Sequence, residues 1–184
     1  MVFLTKTRPS LLRLACAALA TLSLAACSTV AVSPRPALDS GAKWGMVPFV
    51  NHTETPQAGL RAESITEGLL RSTQAMNLQR YPASLNTETL FEPMDRKEQA
   101  AARTWAKEQG IRYAVSGSVD EWRYKVGVDG EPAVGLTLQV IDIDSGEIVW
   151  SAVGSSTGWS REALTAVAQK LTLKLIEPLA MNRP

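Results

Sequence analysis

The sequence predicts a single α/β sandwich, of two or three layers, whose mixed sheet ends in an antiparallel C-terminal meander. Of its 184 residues, 45% are hydrophobic and 20% are charged, a composition that suits a globular core. Short apolar runs rich in β-branched residues alternate with segments of helical periodicity, in the order β-α-β-α-β-β-β-α. The length suits one domain with a terminal extension.

The N-terminal segment predicts export and acylation. Three basic residues precede an Ala- and Leu-rich run at residues 14–26, which is shorter than the roughly 20 residues that a membrane-spanning helix needs. Residues 24–27, Leu-Ala-Ala-Cys, resemble a bacterial lipobox. We therefore expect residues 1–26 to be removed as a signal peptide and Cys27 to be acylated. An ordinary signal peptide with a chance cysteine is the alternative.

Ser28 indicates the destination. It stands where an inner-membrane retention signal would usually place an aspartate. The expected location is therefore the periplasmic face of the outer membrane, with the lipid chains of Cys27 as the anchor. Several acyl chains make such an anchor stable, whereas a single chain binds only marginally.

Cleavage would change the charge and the cysteine content. The whole chain carries 19 basic and 18 acidic side chains, which gives no reason to expect nucleic acid binding. Without residues 1–26 the count is 16 against 18, a net charge of −2. Cys16 leaves with the signal peptide and Cys27 is acylated, so no disulfide is expected within one mature chain. Two cysteines and one histidine cannot build a tetrahedral zinc site, and we expect no metal and no cofactor.

The mature chain is expected to begin with a tether. Residues 28–40 carry two prolines and no helical period, and they predict a flexible segment that could reach about 40 Å when fully extended. The periplasmic domain is then expected at residues 41–184. Its first strand is predicted at residues 44–51, where Pro48 indicates an edge or a bulge because proline lacks an N–H.

Cap and turn signals predict the elements in the middle of the chain. Thr55-Pro56 is typical of the start of a helix, since threonine can cap the helix and proline suits its first position. Residues 78–81 predict a short strand. Pro93 and Asp95 then predict the start of a second helix, which ends at Gly110.

The C-terminal part predicts the meander and a last helix. Apolar residues alternate within 111–125, 134–143 and 148–153, which indicates three strands. Residues 144–147, Asp-Ser-Gly-Glu, are typical of a hairpin turn between the last two strands. Ser160 is expected to cap the final helix, and Pro178 is expected to end it.

No motif predicts an active site. His52, the chain's one histidine, lies beside Thr53 and Glu54 after the first strand, but neighbours in sequence rarely face one another, and no G-x-S-x-G pattern is present. The phosphate-binding glycine patterns are absent as well. A turn role for this loop is therefore preferred, and a hydrolase that uses His52 is kept as an alternative.

The tryptophans are numerous for a chain with three Phe and three Tyr. Trp105 has helical spacing with the small residues around it and is expected in the core. Trp122, Trp150 and Trp159 lie in or at the ends of the meander. Two roles stay open for these three residues. They are expected either to pack in the sheet or to lie at a membrane or protein interface, where partly solvated indole rings are favoured.

Four segments of the chain resemble the PelC family of Pel polysaccharide export lipoproteins. They are Val-Pro-Phe-Val-Asn-His-Thr at 47–53, Glu-Thr-Pro-Gln-Ala-Gly at 54–59, Tyr-Ala-Val-Ser-Gly-Ser-Val-Asp-Glu-Trp at 113–122 and Ile-Asp-Ile-Asp-Ser-Gly-Glu-Ile-Val-Trp-Ser at 141–151. The resemblance covers nearly the whole mature chain. The last segment is shared more widely, with LpoB-like and curli-secretion lipoproteins.

The resemblance implies a non-enzymatic export component for the biofilm matrix. Members of this family are expected to form a ring, dodecameric by this resemblance, beneath the outer membrane. Its acidic lumen guides a cationic, partly deacetylated amino-sugar polymer to the outer-membrane porin PelB, and aromatic residues on one rim meet the membrane. An LpoB-like activator of a peptidoglycan synthase is the alternative, although such proteins usually need a longer tether.

The resemblance also implies two sets of site residues. The first set, for the acidic polymer-guiding surface, takes the acids in or beside the meander: Asp120, Glu121, Asp129, Glu131, Asp142 and Asp144. The second set, for the aromatic rim or another interface, consists of Trp150, Trp159 and Trp122.

Overall fold

The computed structural model describes residues 28–34, 37–39, 41–73, 76, 78–82, 96–127 and 130–179. The seven strands are β1 Ser28–Val32, β2 Trp44–Met46, β3 Val50–Asn51, β4 Leu78–Arg80, β5 Tyr113–Tyr124, β6 Pro132–Asp142 and β7 Ile148–Thr157. The helices are α1 Ala58–Thr73, α2 Arg96–Glu108 and α3 Leu164–Ile176, followed by the short 3-10 helix Glu177–Leu179.

The strands form one mixed sheet in the order β1-β7-β6-β5-β2-β4, and β3 pairs with β5 beyond β2. Strands β5, β6 and β7 are antiparallel neighbours, whereas β2 and β3 run parallel to β5. The predicted α/β class, the mixed sheet and the antiparallel meander are therefore confirmed. No helix among the described residues is long and apolar enough to cross a membrane.

The first strand corrects the predicted tether. Residues Ser28–Val32 form β1, which pairs antiparallel with β7 at the edge of the sheet, and Ser28 lies opposite Ser156. The segment Ser-Thr-Val-Ala-Val contains β-branched residues without charge or proline, and such a sequence suits an edge strand. The prolines that suggested a flexible segment follow the strand instead of interrupting it. The sheet therefore includes residues 28–32, which precede the predicted start of the domain at residue 41.

Pro48 lies in a bulge, as predicted. Met46 pairs with Val115 and Val50 pairs with Ser118, so the chain has one more residue between β2 and β3 than β5 has opposite them. Glu63 of α1 is 2% exposed beneath this bulge and accepts a hydrogen bond from Arg80 at 2.9 Å. Burial raises the pKa of Glu63, while Arg80 and the Phe49 N–H oppose that rise.

Helices α1 and α3 cover one face of the sheet. The core under them includes Trp44, Phe49, Trp122, Leu136 and Trp150, all 5% exposed or less. Each fully buried side chain of this size contributes about 1.5–3 kcal/mol or more of hydrophobic stabilisation. This face therefore carries most of the apolar packing.

Helix α2 covers only one end of the second face. Ala102 and Ala106 pack there against Ile111, and Trp105 packs at the border of this cluster. The ring of Trp105 meets Tyr81 edge to face at 5.3 Å, which agrees with its predicted packing role. The predicted start of this helix at Pro93 and Asp95 lies outside the described residues.

The last helix begins later than predicted. Its N-cap is Ala163, which makes no side-chain cap hydrogen bond, whereas Ser160 lies in the preceding turn. Arg161 has a φ of 68° in that turn, a backbone conformation that breaks a helix. The helix ends at Ile176, and the 3-10 helix that follows contains Pro178.

Candidate functional site

The second face of the sheet carries a polar surface that α2 covers only at one end. We call it the open face and define it by side chains from four neighbouring strands: Ser116, Ser118 and Asp120 of β5; Gly135, Thr137 and Gln139 of β6; Ser151, Val153 and Ser155 of β7; Thr29 and Ala31 of β1. The side chains alternate across each strand, so the apolar neighbours point to α1 and α3. The open face is thus built mostly from small hydroxyl-bearing and amide residues.

A β-bulge places two acidic residues side by side on this face. Val119 pairs with Leu136 but Glu121 pairs with Gly135, so Asp120 is the extra residue of β5. Without the bulge, two consecutive residues would point to opposite faces. Gly135 accommodates the pair, because a Cβ at that position would lie 3.3 Å from the Cβ of Glu121.

Asp120 is the centre of a hydrogen-bond network. Its carboxylate lies 2.9 Å from Nδ1 of His52 and accepts bonds from Thr137 Oγ1 at 3.0 Å and Ser118 Oγ at 3.2 Å. The backbone of His52 is fixed to β5 as well, because its backbone N–H donates to the carbonyl of Val119 at 2.9 Å. Both side chains stay about half exposed, 57% for His52 and 44% for Asp120.

Side-chain hydrogen bonds hold the loop after His52. Asn51 Oδ1 accepts bonds from the N–H and the hydroxyl of Thr53, and its amide donates to the carbonyl of Thr55 at 2.8 Å. Thr55 Oγ1 donates to the carbonyl of Trp122 at 2.6 Å. These bonds are those of an Asx turn tied to β5, which agrees with the predicted turn role of this loop.

Among the described residues, the His52–Asp120 pair lacks the hydroxyl partner of a hydrolytic triad. In a triad the histidine accepts the proton of a nucleophile on the nitrogen that faces away from the aspartate. Ser118 bonds to Asp120 instead, and no hydrogen bond among the described residues joins a hydroxyl to Nε2 of His52. Nor do the described residues bring together three or more side chains of His, Cys, Asp or Glu that could hold a metal.

A groove of about 760 Å³ runs beside this pair. Three acids line it, Glu54, Asp120 and Glu121, together with hydroxyls from β1, β7 and the 52–55 loop. Arg123 offsets one of these charges, since its Nε lies 3.0 Å from Glu121. Glu54 has no ion-pair partner among the residues that the structure describes. The groove therefore keeps an excess of negative charge.

A smaller cavity of about 320 Å³ continues the groove towards α2. It shares His52 with the groove and is lined by Ser116, Gln139 and, from α2, Gln99 and Arg103. Hydrogen-bonding groups thus line the open face from the 52–55 loop to α2.

The predicted acidic residues do not share one surface. Asp120 and Glu121 line the groove, whereas Asp142 and Asp144 lie at the far end of β6, where both bind Arg112. Asp142 is 7% exposed and accepts bonds from the N–H groups of Asp144 and Ser145. Asp142 thus holds the β6–β7 turn, and both acids pair with Arg112 at a distance from the groove. Their place on a polymer-guiding surface stays a prediction.

Of the two remaining acids of the set, the structure describes one. Glu131 lies at the β5–β6 connection, 3.7 Å from Lys125. Asp129 lies outside the described residues.

The structure also separates the three predicted interface tryptophans. Trp122 and Trp150 are each 1% exposed and belong to the core under α1 and α3, so the interface prediction is wrong for their side chains. Each occupies a position that alternation along its strand turns towards the helices. Trp159, between β7 and α3, is 60% exposed.

Trp159 lies at the end of the sheet where the chain enters it. Ser28 lies opposite Ser156, Gly158 N–H donates to the carbonyl of Pro132, and Tyr124 lies opposite Pro132. We call this end the anchor end, because Ser28 directly follows the expected acylation site; it is formed by Ser28, the described residues 125–127 and 130–131, and residues 158–163. Two more exposed apolar residues lie here, Tyr124 at 51% and Val126 at 100% exposure.

A network that sequence reasoning missed holds the Trp159 segment. Glu162 accepts bonds from Lys170 Nζ at 2.6 Å and from the Trp159 N–H at 3.1 Å. The bond from Lys170 is the main reason that the pKa of Glu162 is lowered. Tyr124 OH accepts a bond from the Leu164 N–H at 3.2 Å and links β5 to the start of α3. The sequence pointed to this segment only through Ser160, which was expected to cap the final helix.

Two solved structures are similar to this chain in both sequence and fold. They are PelC dodecamers from Paraburkholderia phytofirmans, one of them a single-residue variant, with 42% and 43% identity and a TM-score of 0.71 each. Each match covers 85% of this chain and 100% of the other. The lipoprotein GNA1162 from Neisseria meningitidis shares the fold, with 16% identity, a TM-score of 0.52, and coverage of 76% of this chain and 98% of that one. No model of a protein family matches, and a search of curated proteins gives no match.

Proposed function

The chain belongs to the PelC family, and from this premise we propose that it is an outer-membrane lipoprotein whose ring guides a cationic exopolysaccharide to the porin PelB. The observation that carries the proposal is the position of Ser28. The residue that follows the expected acylation site is already part of the sheet, and it lies at the end with the exposed Trp159.

This position supports a fixed orientation at the membrane. If Cys27 is acylated, no flexible segment separates the lipid from the domain, and the anchor end must lie against the headgroups. Indole rings favour that interface. Trp159, Tyr124 and Val126 would then cover the membrane-facing side with apolar surface. Of the rim residues expected from the sequence, Trp159 is the one whose exposure supports the role.

Ring formation would strengthen the negative electrostatic potential that one protomer produces only weakly. The two solved relatives are dodecamers, and a closed ring repeats every surface patch at the same radius. A net charge of −2 for the mature chain is small for one protomer, but clefts lined by one sign of charge focus the potential when they repeat. Self-association is therefore part of the proposed mechanism.

The groove on the open face is the best-supported polymer-facing surface. Glu54, Asp120 and Glu121 give it three carboxylates, and the hydroxyls around them can bind the polar groups of a sugar. Protonated amines of a deacetylated polymer would be attracted by carboxylates that protein cations only partly offset. The hydrogen-bonded loop and the β-bulge hold these side chains in place. We propose no chemical step for this surface, whose proposed role is to guide the polymer.

The synthase-activator alternative has less support. It requires the domain to reach from the outer membrane to the peptidoglycan, and β1 removes five residues from the expected tether. A hydrolase that uses His52 has less support as well, because no hydroxyl group among the described residues bonds to the nitrogen of His52 that faces away from Asp120.

Charge removal in the groove tests the proposal. We expect the variant Glu54→Gln, Asp120→Asn, Glu121→Gln to lower the export of cationic polysaccharide by at least about tenfold, the factor that corresponds to about 1.4 kcal/mol. Export is measured as cell-bound polymer in a strain that lacks the native copy. Native mass spectrometry should show an unchanged ring.

A matched control removes three acids elsewhere. Asp144 and Glu147 lie in the β6–β7 turn at the opposite end of the sheet, and Glu108 ends α2 next to Gln109, which bonds to Lys43. The amide variants of these three acids should export normally. Equal loss of export in both triple variants, or normal export by the groove variant, would contradict the assignment of the groove.

A further inference from the structure

Two cations at the anchor end have no acidic partner among the described residues. Lys174 of α3 donates a hydrogen bond from Nζ to Ser28 Oγ at 2.8 Å. Arg161 is exposed in the turn before α3. The other cations of this end are paired: Arg123 with Glu121, Lys125 with Glu131, and Lys170 with Glu162.

The position of Lys174 fixes its depth relative to the lipid. Its ammonium group touches Ser28, and one residue spans at most about 3.6 Å. An acyl chain on the preceding residue would therefore place this ammonium group at the level of the phospholipid phosphates. Arg161 follows Trp159 by two residues, so it lies at the border of the same apolar surface.

We propose that Lys174 and Arg161 bind the phosphates of anionic phospholipids, so that the anchor end prefers an anionic membrane surface. The inference rests on the proposed membrane contact of this end. The two cations lie on different elements, one on α3 and one in the turn before it, and each has free hydrogen-bond donors. Isolated cations of this kind suit a surface that offers many phosphates, and they form no enclosed cage for one free phosphate ion.

Vesicle binding by a form without acyl chains tests the inference separately from the anchor. Residues 27–184 with Cys27→Ser keep every described strand and helix. A cation near an anionic membrane contributes about 1 kcal/mol. Lys174→Gln and Arg161→Gln should therefore each weaken binding to phosphatidylglycerol-containing vesicles about fivefold, and the double variant about 25-fold. Binding to phosphatidylcholine vesicles should stay unchanged, and inorganic phosphate should not compete at moderate ionic strength.

Lys43→Gln is the matched control. Lys43 is also a single exposed cation, but it lies at the opposite end of the sheet, where it bonds to the carbonyl of Gln109. Its loss should leave vesicle binding within twofold. Unchanged folding and oligomeric state are checked by thermal unfolding and light scattering.

Three results would overturn the inference: equal weakening by Lys43→Gln, no weakening by either anchor-end variant, or equal affinity of the parent form for both vesicle types. Failure of the proposed lipidation would show differently. It would appear as a mature protein without acyl mass at Cys27, whatever the vesicles show.

Discussion

The two ends of the sheet contain the same kinds of side chain, and their partners decide what these side chains do. At the turn end, which holds the β6–β7 turn, Arg112 binds Asp142 and Asp144, and Trp150 is buried in the core. At the anchor end Trp159 is exposed, and two cations lack acidic partners among the described residues. Acid clustering and tryptophan content therefore do not identify a functional surface until the partners are known.

Truncation of Trp150 and of Trp159 should give the largest difference in the free energy of unfolding. Trp150→Ala removes a side chain that is 1% exposed and should lower the free energy of unfolding by about 3–5 kcal/mol. Trp159→Ala removes one that is 60% exposed and should change it by less than about 0.5 kcal/mol. Urea denaturation of both variants measures the difference.

Membrane binding should show the opposite order. Trp159→Ala is expected to weaken vesicle binding although its fold is stable, whereas folded Trp150→Ala should bind like the parent protein. If Trp150→Ala were as stable as Trp159→Ala, the distinction between a structural end and a binding end would fail.

Substitution of the two acids at the turn end should give a smaller difference in the free energy of unfolding. Asp142→Ala removes an acceptor of two backbone N–H bonds and of Arg112 at 2.6 Å, and it should cost about 2 kcal/mol. Asp144 has a side chain that is 60% exposed, so Asp144→Ala should cost at most about 0.5 kcal/mol. Thermal unfolding of the pair measures this. Equal costs would mean that the buried hydrogen bonds of Asp142 add nothing to the ion pair.

Local sequence signals predicted most of the fold. Alternation of apolar residues located β5, β6 and β7, and Pro48 correctly indicated a bulge. Strand β1 was missed because its five residues are adjacent to prolines, and its stability comes from pairing with β7 more than 100 residues away. No local pattern can reveal such a partner.

The candidate site was predictable only in part. Asp120 and Glu121 were expected on one surface, but their common face depends on a bulge that appears only when β5 and β6 are paired. Asp142 and Asp144 lie at the other end of the β5–β6 ladder, where Arg112 binds both of them from a neighbouring strand end. Charge neutralisation of this kind is a property of the register of the sheet and not of the order of residues.

The smallest expected effect is a pH-dependent loosening of the Trp159 segment, which Glu162 holds by hydrogen bonds. The bond from Lys170 to Glu162, supported by the Trp159 N–H, lowers the pKa of Glu162 below its ordinary value of 4.5, while desolvation opposes the shift. A lowered folded-state pKa means that this carboxylate stabilises the folded segment above pH 4.5. The contribution is lost as the pH falls through the folded-state pKa.

Glu162→Gln should therefore loosen the segment at neutral pH and change nothing in acid. The chemical shift of the Trp159 backbone amide, followed by NMR from neutral pH to below 4.5, should differ between parent and variant at the start and converge at the end. Glu131→Gln serves as the control, since its contact with Lys125 at 3.7 Å lies at the same end but does not reach Trp159. A constant difference across the titration would show that the Glu162 carboxylate does not hold Trp159, because only a titrating bond can disappear with protonation.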